Sequence, residues 1–225
     1  MNRHKTRVIK VGSVAIGGDS PISVQSMTNT PTSDAIATIE QIKRLEQAGC
    51  DIVRAAVSSR EDAEAIRRIK MKTNLPLIAD IQFDYRLALM AIGSGVDGLR
   101  INPGNIGSDE KVKEVVKACK AEGISIRIGV NSGSISRATL DKYNGVNENS
   151  MVESALEQVR LLESMDFHDI KISLKASSVP LTIKSYLRMS ELCDYPLHLG
   201  ITEAGTPWRG TIKSSVGIGS ILAMG

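Results

Sequence analysis

Aromatic residues are almost missing from this chain: one tryptophan, four tyrosines and two phenylalanines in 225 residues. A dedicated nucleic-acid binder would carry aromatics interleaved with a strongly basic face. Here 28 Lys plus Arg stand against 25 Asp plus Glu, a net charge of only +3. Cysteine is equally sparse. Cys50, Cys119 and Cys193 are far apart, odd in number and never in CxxC spacing, which argues against a disulfide framework or a metal knuckle. No apolar run approaches the ~20 residues that span a bilayer. The basic start MNRHKTRVIK lacks the apolar stretch of a signal peptide. Neither GxGxxG nor GxxxxGK[ST] occurs, so the usual nucleotide-binding turns of open α/β sheets are absent from the sequence. With 42% apolar residues the chain still has enough to pack a core. These features point to a soluble protein of a reducing cytosol, without nucleic acid or membrane as partner.

What is present is a repeat, visible in punctuation rather than identity. A periodic helix ends at Gly, a β-branched run follows, and a Ser/Asp/Asn-rich turn opens the next helix. Segment 33–48 places Ile36, Ile39, Ile42 and Leu45 three apart, with Ser33 or Asp34 as N-cap and Gly49 as stop. CDIVRAAV then reads as a strand, and Ser58 or Ser59 caps REDAEAIRRIKMK before LPLIADIQ. A helix over about 84–94 precedes VDGLRINPG, and Ser108 caps the helix that Gly123 stops before ISIRIGVN. After an insertion, SGSISRATLDKYNGVNEN, come helix 150–165 and strand DIKISLKAS. Ser177 or Ser178 opens a helix over about 179–192, with Pro180 in its first turn. PLHLGITEAG is the last strand and 212–224 the last helix. With SVQSMTN as first strand there are seven β-then-α units, preceded by a β-hairpin in RVIKVGSVAIGGDSPIS turning at Gly17-Gly18-Asp19.

Strands apolar on both faces and alternating with helices imply a parallel sheet with helices outside. Spacing near 25 residues over seven units favours a TIM-type (β/α) barrel over an open sheet. Basic residues then recur within or just after the strands: Arg54, Arg100, Arg127, Lys171 and Lys175. Any one of them could be a salt-bridged or snorkelling rim residue. Several at matching places converge on the C-terminal mouth of a barrel, where active sites are built. Such a cluster suits a polyanionic ligand, most simply a phosphorylated one. Asp80, Asp84, Asn131, Thr202 and Glu203 also lie at strand ends. Their carboxylates are either general acids or bases, or partners for the arginines. His198 reads as a core histidine, His4 and His168 have no assigned role, and the cysteines read as small hydrophobes.

VQSMTNTPT, DIVRAAV, ADIQFDYRLA, GLRINPGNIG, IRIGVNSGS, ISLKASS, PLHLGITEAG and IKSSVGIG, in that order, closely resemble the bacterial 4-hydroxy-3-methylbut-2-enyl diphosphate synthases, from about Val8 to Gly225. The resemblance implies reductive ring opening and dehydration of 2-C-methyl-D-erythritol 2,4-cyclodiphosphate, a late step of the methylerythritol phosphate route to isoprenoids. It implies that Arg54, Arg100, Arg127, Asn131 and Lys175 hold the diphosphate, that Thr202 touches the substrate, and that Glu203 donates protons to the leaving hydroxyl. It further implies a [4Fe–4S] cluster held by three cysteines and a glutamate in a separate C-terminal domain, a ferredoxin or flavodoxin electron donor, and a homodimer. The sequence offers no ligands for such a cluster, so residues 1–225 are expected to be the substrate-binding barrel alone, with no metal site and no activity by themselves. Two rivals remain: a redox-free barrel of the pteroate-synthase type, and a non-catalytic phosphate-ligand module. ILAMG ends where an eighth strand is expected, which predicts an open gap between the first and seventh strands or a segment that fills it.

Overall fold

Two periods alternate along the chain, one near 3.6 and one of 2, and the computed structural model gives each its element. It describes residues 3–225; Met1 and Asn2 of the basic start lie outside the described residues. A hairpin of β1 (Ile9–Val11) and β2 (Val14–Ile16) precedes β3 (Gln25–Met27), α1 (Ala35–Gln47), β4 (Ile52–Ala56), α2 (Arg60–Lys70), β5 (Leu77–Asp80) and α3 (Tyr85–Gly93). Then follow β6 (Gly98–Ile101), α4 (Asp109–Glu122), β7 (Ser125–Asn131), α5 (Arg137–Lys142), α6 (Glu148–Ser164), β8 (Ile170–Lys175), α7 (Val179–Ser190) and α8 (Pro207–Ala223).

Local chemistry fixes the helix ends. Asp34 accepts from the Ala37 N–H, and Ser59 forms a reciprocal capping box with Asp62. Gly123 ends α4 in the left-handed region at φ +63°, where a Cβ would be penalised. Ser178 caps α7 ahead of Pro180. Two expectations need correction. The hairpin turns at Gly12-Ser13, where Val11 faces Val14 and Gly12 has φ +54°; Gly17 and Gly18 make a later turn. A glycine at the first central position suits the two-residue mirror-image turns that match strand twist, so the single glycine outranks the more conspicuous pair. Helix α8 begins at Pro207 rather than 212, because proline is accommodated in a first turn. The insertion carries the short α5, which its polar composition hides.

β3 to β8 form one parallel sheet in sequence order, curled as a partial β/α barrel, and β1–β2 form a separate antiparallel sheet. The seventh unit is present with its strand reduced: Leu197 bridges Ile172, and the His198 N–H donates to the Ile172 carbonyl at 2.7 Å. Among the described residues no strand pairs with the outer side of β3.

The strands have two unlike faces. Val53, Leu77, Leu99, Ile126, Ile128 and Ile172 point toward the helices and join Ile66, Val112 and Met151 in one continuous core. The residues between them point inward. At the N-terminal end of the barrel, Ile52 and Ile78 meet Val11 in a second, small apolar cluster, with Val14 and Ile16 packed against it. The hairpin therefore plugs the barrel floor. Toward the C-terminal end the inward positions turn polar and cationic.

Candidate functional site: a cationic barrel mouth

Inward-facing residues of five adjacent strands, joined by Gln82 and Thr202 from the loops beyond, enclose a cavity of about 210 Å³ at the C-terminal end. Its lining is Arg54, Asp80, Gln82, Arg100, Arg127, Asn131, Ser173, Lys175 and Thr202. The parallel register makes them neighbours: Asp80 stands beside Arg100, Arg100 beside Arg127, and Asn131 beside Lys175. Four lining residues are cations and one is a carboxylate. Asp80 lies between two guanidiniums, accepting from Arg100 Nη1 at 3.1 Å and facing Arg54 Nε at 3.4 Å. Arg54 otherwise leans on the Met27 thioether, a weak acceptor, at 2.9 Å from Nη2.

Arg127 is 1% exposed and donates from Nη1 to Ser173 Oγ at 2.9 Å, while its Nε has no partner. Burial, then Arg54 and Arg100, push its affinity for the proton down, to about 9. A guanidinium still keeps its charge at neutral pH. Burial and the surrounding arginines push Lys175 down to about 7. Burial first, then Arg127, Lys175, Lys171 and Arg54, hold the half-buried His198 well below the usual histidine range, hence neutral. Arg100 Nε is also unpartnered. Desolvating an ion costs several kcal/mol even after relaxation, and one carboxylate cannot offset four cations. Such an arrangement can receive an anion from outside, since planar guanidinium forks match phosphate oxygens.

Two glycines make the room. A Cβ at Gly129 would stand 2.7 Å from Arg100 Nε, and one at Gly200 would stand 2.7 Å from Lys175 Cε. Both separations are shorter than van der Waals contact, so a side chain at either place would displace the cation.

Of the residues singled out in the sequence, Arg54, Arg100, Arg127, Asn131, Lys175 and Thr202 converge on this cavity. Glu203 does not. It is exposed, sits at φ +50°, and lines a separate groove with Val179, Arg209, Lys213 and Val216 beside α8. Asp80 pairs with arginines, and Asp84 caps α3 while paired with Arg86, which resolves the open choice for both toward ion pairing. Sequence reasoning missed Gln82 and Ser173. Ser173 was accessible by parity, since it lies between Lys171 and Lys175 on the inward face of β8. Gln82 lies beyond its strand and carries no periodic signal.

The described residues do not fit an iron–sulfur centre. Among them, no three His, Cys, Asp or Glu side chains are placed to hold a metal. Cys50 and Cys119 are buried apart, burial pushes the Cys119 thiol up to about 12, and Cys193 is pushed up as well. Cluster ligands must be thiolates. No helix among the described residues is long and apolar enough to cross a membrane.

A family profile described as the GcpE TIM-barrel domain matches residues 6–225. The chain is 60% identical over all 225 residues to the 4-hydroxy-3-methylbut-2-en-1-yl diphosphate synthase (flavodoxin) of Clostridium perfringens, and covers 64% of that protein. It is 56% identical over 224 residues to the enzyme of the same name from Macrococcus caseolyticus, covering 60% of it. The chain thus spans somewhat under two thirds of the length of these curated relatives. Among solved structures it resembles the dihydropteroate synthase of Xanthomonas albilineans at a TM-score of 0.60 and 14% identity, over 86% of this chain and 76% of the other. The tryptophan synthase α-subunit of Pyrococcus furiosus gives a TM-score of 0.54 at 10% identity, over 85% and 82%. Identities this low speak for the fold alone.

Proposed function

The chain belongs to the GcpE TIM-barrel family, and from that premise we propose that it is the substrate-gripping barrel of a 4-hydroxy-3-methylbut-2-enyl diphosphate synthase. Its substrate in this reading is 2-C-methyl-D-erythritol 2,4-cyclodiphosphate. The reaction opens the ring by breaking a carbon–oxygen bond to the diphosphate, adds two electrons and loses water. The observation that carries the reading is the inward cluster of Arg54, Arg100, Arg127 and Lys175 around a cavity with one carboxylate.

In this reading the arginines and Lys175 neutralise the diphosphate, and Asn131 and Thr202 add hydrogen bonds that fix its rotation. Asp80 holds Arg54 and Arg100 apart at ion-pair distance, so that their forks are pre-set before ligand arrives. As the diphosphate develops charge on leaving carbon, the same cations stabilise it most strongly. Glu203, which lines the neighbouring α8 groove in the free barrel, supplies a proton to the departing hydroxyl once it turns toward the mouth. The two electrons would be supplied by a [4Fe–4S] cluster held outside the described residues, with ferredoxin or flavodoxin as donor, the latter part of the relatives' names. The complete enzyme works as a cytoplasmic homodimer in which one subunit's barrel serves its partner's cluster.

The pteroate-synthase reading shares the fold at 14% identity or less, whereas the diphosphate synthases share 56–60% of residues across the chain. Titration calorimetry with the cyclodiphosphate tests the proposal. Arg100→Ala removes one charged fork and is expected to weaken binding roughly hundredfold, about 3 kcal/mol. Unchanged affinity contradicts the phosphate-grip reading, and turnover of a pterin diphosphate without iron favours the rival.

A further inference from the structure

The cationic face does not stop at the cavity wall. Lys171 lies on the inward face of β8, in register with Arg127 and four residues before Lys175. It is 2% exposed, it does not line the cavity, and its Nζ has no hydrogen-bond partner. Below it the barrel is closed by the apolar contact of Ile52 and Ile78 with the hairpin. On β7, Ser125 Oγ, two residues before Arg127 on the same inward face, is also unpartnered. A lysine almost never occupies such a place without a partner. Replacing a buried charge with a methylene chain of similar volume is often stabilising. The fold alone therefore gives no reason for the amine.

We propose that Lys171 is a further positioning residue of the anion site: from behind Arg127, without touching ligand, it supplies counter-charge to a bound diphosphate group by taking up a proton. The inference rests on the reading of the mouth as an anion site. Burial first, then Arg127 and Arg54, push the amine down to about 7, so above neutral pH it is largely uncharged beside the bare cations. Other groups share the same barrel end. His198 faces Lys171 from the segment after α7, Lys175 and Arg100 add positive charge, and Asp80 is the acidic group among the cavity's lining. A diphosphate outweighs that repulsion and raises the amine's affinity for protons. One N–H⁺ bond forms at Nζ, and the proton comes from solvent.

Calorimetric titration with inorganic pyrophosphate at pH 8, in two buffers of different ionisation enthalpy, tests it on wild type and Lys171→Met. Wild type should take up protons on binding, and the variant roughly one fewer, with roughly tenfold weaker affinity. The extra proton uptake should fade toward pH 6, where Lys171 is already charged in the free protein, and by linkage the affinity difference should widen there. Equal proton uptake and equal affinity in the two proteins overturn the proposal and leave Lys171 as packing. If wild type binds no pyrophosphate, the anion-site reading itself fails. If Lys171→Met does not fold, Lys171→Gln takes its place in the same two-buffer comparison, and equal proton uptake and affinity there overturn the proposal.

Discussion

The two faces of the same strands obey opposite rules. On β7, Ile126 and Ile128 point toward the helices and are fully buried among apolar side chains. Arg127, between them, is as deeply buried and has one hydrogen bond, an orphan nitrogen and like-charged neighbours. One face stabilises by removing apolar area from water, at roughly 25 cal/mol per Å². The other gives up stability in the free protein to crowd cations together, which in the proposed reading stand ready for an anion. The period-2 alternation lets one strand do both, and it explains why neighbouring residues should respond so differently to substitution.

The largest expected effect comes from carrying the inner chemistry to the outer face. Leu99→Lys places an ammonium with no partner in the helix-packed core and should cost more than about 4 kcal/mol, read as loss of the cooperative urea transition. A smaller effect tests the glycine clearance. Gly129→Ala pushes its Cβ toward Arg100 Nε and should weaken pyrophosphate binding roughly tenfold while costing about 1–2 kcal/mol of stability. A stability loss without an affinity loss would show that the guanidinium can move aside freely. A further effect is a pH slope. Lys171 and Lys175 are lowered to about 7 in the fold and return to about 10.4 when unfolded. Between pH 7 and 8.5 the unfolded chain then binds more protons, so ligand-free stability should rise with pH. Saturating pyrophosphate should flatten that rise, and thermal melts across the window check both.

The outer face was legible in the sequence because helix punctuation and β-branched runs report packing directly. Asp34, Ser59 and Ser178 cap helices where such residues were expected. The inner face was legible as basic residues inside apolar strands, and parity alone brings Arg54, Arg100, Arg127 and Lys175 together. Legibility failed where backbone conformation decides. The hairpin turn went to Gly12 instead of the glycine pair, and the strand at Leu197 shrank to one bridge. Glu203 follows Thr202 in sequence, yet its left-handed backbone turns it toward the α8 groove while Thr202 lines the cavity. Adjacent residues at the end of a strand part company there, and no periodic pattern reports it.

Arg127→Met carries the comparison to its most direct test. Urea unfolding of the variant and wild type, each with and without pyrophosphate, reads stability and ligand linkage together. The account predicts a crossing: the variant as stable as wild type or more so without ligand, by up to about 4 kcal/mol, and less stable with ligand saturating. A variant that is less stable under both conditions by the same margin would show that Arg127 serves the fold, and would contradict the division of labour between the two faces.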